Sequence, residues 1–292
     1  MKMLYQRCQR TLIVVLLCLA LLTGVFAQFD NRQGGRAGRG FGGRGGPGMR
    51  MPDRSEYPMW QVEPAFKHDA FTFVRIRYDS YRNQAFGGWA NDYPDCDWNF
   101  SIRLRELTSL NVDPNGRVLR LTDPELADFP FAYMSNPGEI ILSDDELLAL
   151  RKYLRNGGFL MVDDFWAIQE WSHLRAVMHQ VLPAVQPREL TTDHELFHMV
   201  YDLRVKPQVP SIRAWSVGDT FEHWHGPTGG DEEPHFWGYF DEANRLMALF
   251  CHNNDIGDGW EREGDNKEYF EKYSVPVSYP LGINIISYSL TH

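Results

Sequence analysis

Apolar positions along this chain follow two rhythms that alternate from about residue 71 to residue 181. Phe71-Thr72-Phe73-Val74-Arg75-Ile76-Arg77-Tyr78 changes side at every residue and predicts a first strand. A long loop rich in glycine and acid follows, GGWANDYPDCDWNF, and then a helix from about Phe100 to Leu110 carrying Ile102, Leu104 and Leu107. Short strands are expected at 118–121 and 131–134, the second closing on Ser135-Asn136-Pro137-Gly138. Ser143 and Glu146 form a capping box for a helix whose Leu147, Leu150 and Leu154 recur at helical spacing until Gly157-Gly158 stops it. Phe159-Leu160-Met161-Val162 then reads as a fully buried strand that ends in Asp163-Asp164. Residues 167–182 give a further amphipathic helix with Leu174, Val177, Met178 and Val181 inward.

After Pro183 the rhythm changes. HFWGYFDEANRLMALFCHNND predicts two antiparallel strands joined around 241–244. Val200-Tyr201-Asp202-Leu203-Arg204-Val205 looks like another strand, while LGINIISYSL fits a helix or a strand equally. Helix-to-strand units joined by tight glycine turns build open parallel sheets. The expected fold is therefore α/β: a mostly parallel, flavodoxin-like sheet flanked by helices, with an antiparallel hairpin added late in the chain.

The N-terminal stretch changes where such a domain would reside. Lys2, Arg7 and Arg10 precede an apolar run from Thr11 to Phe26, and Val25-Phe26-Ala27 suits signal peptidase. Residues 1–27 are expected to be a signal peptide cleaved before Gln28. An uncleaved anchor is the alternative, although about 15 apolar residues fall short of the ~20 that a spanning helix needs. Residues 28–65, dominated by glycine and arginine, are expected to be a disordered tether, and residues 66–292 one domain. The setting is then periplasmic or extracellular, which permits a disulfide between Cys96 and Cys251; two unpaired core thiols are the favoured alternative.

Charge narrows the partners. From Phe66 onward, 20 Lys and Arg face 35 Asp and Glu. Such a body repels nucleic acid and anionic lipid, so no specific nucleic-acid partner is expected. A cation, a glycan or another envelope protein fits better. No P-loop, GxGxxG, GxSxG elbow or Cys/His zinc knuckle is present.

Three constellations could carry chemistry. His194-Glu195-Leu196-Phe197-His198 matches H-E-x-x-H, in which two histidines one helical turn apart hold zinc and the glutamate activates its water. Thr191, Thr192 and Asp193 are N-cap residues, however, so the motif falls in a first turn, and any third ligand must come from as far as Glu222, His223 or His225. The favoured reading is a turn that buries Leu196 and Phe197, with zinc hydrolysis as the alternative. A second cluster joins His223-Trp224-His225 to Pro234-His235-Phe236-Trp237, histidines and tryptophans that suit metal or sugar stacking. The third set is polar residues at strand ends: Asp79, Asn136, Asp163, Asp164 and the Asn253-Asn254-Asp255 run. In an open α/β sheet these converge beyond the carboxyl ends of the strands, where ligands bind. Paired acids there serve as acid and base or as oxygen ligands for calcium or magnesium. NDIGDGWEREGDN has the flavour of a calcium loop but lacks its D-x-D-x-D-G spacing.

YLRNGGFLMVDDFW, DHELFHMVYDL, NNDIGDGWE and LGINIISYSL, in that order, resemble the bacterial proteins grouped as domain of unknown function 4159. That resemblance covers about residues 67–292 and implies a class I glutamine-amidotransferase-like fold. In enzymes of that fold the nucleophilic cysteine sits on a strained turn after a strand of the GGFLMV kind. Asp163-Asp164 stands there instead, and neither Cys96 nor Cys251 takes the place, so amidotransferase chemistry is not expected. The resemblance also puts a D-H-P-like turn where DHELFH stands, which makes the zinc motif look accidental.

The resulting expectation is an exported, non-catalytic binding or interaction module. Its ligand meets Asp79, Asn136, Asp163, Asp164, Asn254 and Asp255, with Trp166 and Trp260 as walls. The competing class is a hydrolase, driven by metal at His194 and His198 with Glu195 as base, or by the acids Asp163 and Asp164. No cofactor is predicted; zinc and calcium are the metal alternatives.

Overall fold

A computed structural model describes residues 53–81 and 88–292. The expected signal peptide and most of the expected tether lie outside these residues. Strands β1 (Val74–Ile76), β3 (Arg117–Leu119), β4 (Phe131–Ser135), β6 (Phe159–Phe165) and β9 (Leu246–His252) run parallel. Strands β8 (His235–Phe240) and β7 (Arg188–Glu189) continue the sheet antiparallel, giving the order β3-β1-β4-β6-β9-β8-β7. A separate antiparallel pair joins β2 (Asp79–Ser80) to β5 (Ile140–Ile141). Numbered by appearance, the parallel strands stand in the 2-1-3-4-5 order of flavodoxin-like sheets, whose ligand crevice opens at the strands' carboxyl ends.

The apolar runs form these strands because both faces of the sheet are covered. On one face pack α2 (Asp144–Arg155) and α3 (Ala167–Val181), with Leu150, Leu154, Leu174 and Met178 against Val74, Met134, Leu160 and Phe250. The capping box of α2 is present: Glu146 N–H donates to Ser143 Oγ at 3.3 Å, and Ser143 N–H to Glu146 Oε2 at 3.0 Å. Gly158 permits the next turn, since a Cβ there would lie 2.5 Å from the Tyr153 ring. The opposite face carries α1 (Asp95–Leu107), α5 (Ile256–Glu261) and α6 (Tyr279–Thr291), with α4 (Ile212–Ser216) a single short turn before β8. Phe100 of α1 and Trp260 of α5 pack ring to ring at 4.4 Å beside Phe73 and Tyr133.

Several expectations shift. The first helix begins at Asp95, five residues before Phe100, with Asp95 and Asp97 favourably placed in its first turn. LGINIISYSL is helical, and it follows a π-helical stretch, Phe270–Ser278. Residues 200–205 form no strand: Asn284 of α6 accepts from the N–H groups of Val200 and Tyr201 and donates to Tyr201 C=O, taking the place of a ladder partner. Residues 53–65, assigned to the tether, lie on the domain, where Tyr57 packs on Trp98 and Trp60 Nε1 donates to Val112 C=O at 2.6 Å. Cys96 and Cys251 are free and buried. Among the described residues, no helix is long and apolar enough to cross a membrane.

Candidate functional site: an acidic knot at the strand ends

The apolar run of β6 does not stop at Val162. Val162 and Phe165 both enter the core under α2 and α3, although three residues along a regular strand should put them on opposite faces. The register against β9 explains it: Val162 pairs with Phe250 and Phe165 with His252, so one residue is extra. This is a β-bulge, a device that re-aims side chains at the ends of strands. Its strained residue is Asp164, at φ +54°.

Both acids are buried. Asp163 Oδ2 accepts from Gly257 N–H at 2.8 Å and from Tyr133 Oη at 3.1 Å, while its Oδ1 has no hydrogen-bond partner. Burial pushes its carboxyl up to about 7, against the pull of those bonds. Asp164 Oδ2 accepts from Asn91 Nδ2 at 2.6 Å and Asn136 Nδ2 at 2.9 Å, and Oδ1 from Trp166 Nε1 at 3.2 Å. Burial, then repulsion from Glu222, lifts it well above the usual carboxylate range.

His225 closes one side of the knot. Nδ1 lies 2.7 Å from Glu170 Oε1 and Nε2 lies 3.2 Å from Glu222 Oε2. Burial alone would depress this imidazole, but the bonds to Glu170 and Glu222 outweigh it and hold it well above its ordinary value. Its neighbours are tied to the fold: Glu170 Oε2 accepts from Trp166 N–H, and Glu222 Oε1 from Ser211 N–H.

On the other side stand Asp92 and the first residues around α5. Asp255 caps α5, its Oδ1 accepting from Asp258 N–H at 2.9 Å. Asp255, Asp258 and Glu261 follow one another at intervals of three, so α5 presents them on neighbouring positions. Asp92, at φ +62° in the segment between β2 and α1, stands beside them, and its Oδ2 has no hydrogen-bond partner. Burial, then Glu261 and Asp258, pushes Asp92 well above its normal range; burial pushes Glu261 up to about 8. Asp255 is raised by burial and by Asp164 and Asp92. Arg75 of β1 sits beneath, wholly buried, with Nε and Nη2 on Asp97 and Nη1 on the carbonyls of Trp89 and Asn91. It thereby fixes the loop that presents Asn91 and Asp92.

Three overlapping donor sets result, each with ligand atoms within 4.8 Å of one another: Asp164-Glu222-His225, Asp92-Asp164-Asp255 and Asp92-Asp258-Glu261. A family model for a domain of unknown function, DUF4159, matches residues 72–290, a span that contains all of them. The chain belongs to this family. No curated protein matches it.

Within the DUF4159 domain, Asn136, Asp163, Asp164 and Asp255 come together at the strand ends. Asn254 supports them from behind: its C=O accepts from Asp164 N–H, and its side chain holds Val209 and Pro207. Trp166 is buried against Phe221 and serves the knot as a donor rather than as a wall. Trp260 is not a wall either, because its ring is spent in the core beside Phe100. Asp79 stands outside the knot, its side chain 66% exposed and paired with Arg120.

The H-E-x-x-H segment of the domain is a 3-10 turn, Glu195–His198. His194 Nδ1 accepts from Leu196 N–H, whereas His198 is engaged at both nitrogens, by Asp202 Oδ1 and Thr192 C=O. Among the described residues neither histidine belongs to a donor set that could close on one ion. His223 and His225 lie on a 3-10 turn rather than a strand; His223 pairs outward with Asp219, and only His225 enters the knot. His235 pairs with Glu189 and Asp231.

Sequence reasoning missed Asp92, Glu170, Asp258 and Glu261. The signal for two of them was legible, since Asp255, Asp258 and Glu261 recur every third residue. Asp92 and Glu170 carried none, because the contacts that recruit them come from distant parts of the chain.

Proposed function

We propose that this DUF4159 chain is an exported, non-catalytic binding module on an amidotransferase-like scaffold, with a cationic ligand at the strand-end acids. The observation that carries the reading is Asp164. Its φ of +54° at the end of β6 supports the reading, because enzymes on that scaffold carry their nucleophile on a strained turn after such a strand. Both of its oxygens accept hydrogen bonds from Asn91, Asn136 and Trp166. A carboxyl held in this way, and pushed towards its neutral form by burial, is a poor nucleophile. His225 is a poor general base too, since its bonds to Glu170 and Glu222 raise it well above its ordinary value and occupy both ring nitrogens. The buried thiols of Cys96 and Cys251 are pushed up by burial, away from the thiolate that amidotransfer needs.

Export rests on the basic and apolar N-terminal segment, and an envelope protein or a glycan bearing positive charge would be a fitting partner there. The surplus of acid at the crevice favours the cationic class over neutral sugars. A hydrolase would use the same row, Asp164-His225-Glu222, but it requires a neutral imidazole and an ionised Asp164.

The test uses the full chain. Ammonia release from glutamine is measured, and melting is followed with spermidine, a trilysine peptide, calcium chloride or cellotetraose. The expected outcome is no ammonia, and stabilisation by at least one cationic probe that Asp164→Asn removes. Ammonia release that disappears in Asp164→Asn would establish the hydrolase instead. Stabilisation by the neutral sugar alone, or by cations equally in the variant, would overturn the proposal.

A further inference from the structure

The knot contains a charge that its own cations do not answer. Arg75 is spent on Asp97 and two carbonyls, His225 on Glu170 and Glu222, and Arg262 on Asp258 and Glu261. Among the described residues no Lys, Arg or His forms an ion pair with Asp92, Asp164 or Asp255. Carboxylates withdrawn from water cost several kcal/mol each unless they are paired or neutralised. Something must be shared between these three.

A second observation singles out one donor that lacks a partner. Asp92 is 9% exposed, and its Oδ2 has no hydrogen-bond partner although it is turned inward. It stands beside Gly257, where a Cβ would meet Tyr133 Oη at 2.5 Å, Asp92 Oδ2 at 3.1 Å and Asp163 Oδ2 at 3.6 Å. Glycine there lets the unpartnered oxygen and the Tyr133 hydroxyl approach the backbone closely.

We propose that Asp92, Asp164 and Asp255 hold one hard divalent cation, of which Ca²⁺ fits best. This deepens the cationic-site reading above and rests on it. The three ligand oxygens lie within 4.8 Å of one another, about the span that metal–oxygen bonds of 2.3–2.6 Å bridge across one ion. All three donors are carboxylates, which select Ca²⁺, Mn²⁺ or Mg²⁺ over the softer metals that imidazole and thiolate attract. Ca²⁺ is favoured because it accepts irregular oxygen geometry, whereas Mg²⁺ demands a near-ideal octahedron. The neighbouring set with His225 is a weaker candidate, since both of its ring nitrogens already bond carboxylates. Asn91 and Asn136 hold Asp164 from behind, so second-layer amides orient the carboxylate as they do in oxygen-rich metal sites. The ion displaces protons that the crowded carboxyls otherwise retain, so binding tightens as pH rises.

The experiment titrates the chelator-stripped full chain with calcium chloride by calorimetry at pH 7.5, with melting alongside. Asp92→Asn and Asp255→Asn are compared with wild type. Asparagine still caps α5, and it leaves the fold of the crevice without a charge to neutralise. The expected result is one ion per chain, a rise in melting temperature on binding, and an affinity at least tenfold weaker in each variant. Both variants should melt without calcium at or above the wild-type temperature, which shows that they fold. No saturable calcium binding, or binding unchanged in both variants, overturns the metal site. If calcium fails while spermidine or trilysine still binds and Asp164→Asn abolishes it, only this inference falls. If no cation binds, the cationic-site reading falls with it.

Discussion

The strand-end knot and the H-E-x-x-H turn make opposite demands on the chain. The turn has a spacing that matches a known zinc motif residue for residue, yet its two histidines serve separate local bonds. The knot has no consensus spacing at all, and it gathers acids from the segment between β2 and α1, from β6, from the segment before β8 and from α5 with its cap. The difference is backbone geometry. On an α-helix, positions i and i+4 lie about 40° apart; on a 3-10 turn of three residues per turn they lie about 120° apart, and their rings diverge. At β6, a single inserted residue does the reverse and brings two adjacent acids into one buried cluster. Spacing carries chemistry only through the helix or strand that converts it into direction.

The largest expected effect lies beneath the knot. Arg75→Met removes the buried partner of Asp97 and the donor to Trp89 and Asn91, and should cost about 3–5 kcal/mol in urea unfolding. The double change Arg75→Met with Asp97→Leu should recover most of that loss, since it leaves no unpaired charge. A cost under about 1 kcal/mol for the single variant would mean that the loop presenting Asp92 is not anchored as described. The smallest effect belongs to the turn. His198→Ala should shift the melting temperature by no more than about 2 °C and leave cation binding unchanged. A larger loss, or zinc-dependent melting that the variant removes, would restore the motif to function.

Much of the fold was legible because periodicity reports burial. The capping box at Ser143, the buried run of β6 and the hairpin at 235–252 follow directly from residue order. LGINIISYSL was not, because a run buried from Leu281 to Ile286 on all sides shows no amphipathic period. Val200-Val205 misled for a related reason: it alternates like a strand, but Asn284 supplies its backbone with partners from a helix. The site was half legible. Strand-end logic finds Asp163, Asp164, Asn136 and Asp255, since their placement depends on local elements. Asp79 obeys the same logic but is drawn off to Arg120, and Asp92 arrives through a loop whose course depends on Arg75. Contacts between distant segments leave no trace in spacing.

The central claim is that the strand-end acids are buried, crowded and neutralised by protons when no cation is bound. The most direct measurement is the melting temperature of the full chain between pH 5 and pH 8 in chelating buffer. Asp163 is raised to about 7 and Glu261 to about 8, with Asp92, Asp164 and Asp255 raised as well. The unfolded chain loses these protons near pH 4 and the folded chain keeps them, so the folded state binds more protons throughout this window. Each such carboxyl then withdraws about 1.4 kcal/mol of stability per pH unit until its folded pKa is passed. His225, raised by Glu170 and Glu222, acts in the same direction above its unfolded value near 6.5. The account predicts a melting temperature that falls by at least about 10 °C from pH 5 to pH 8. A melting temperature that stays level or rises would mean that the acids are ionised and already paired, and would contradict it.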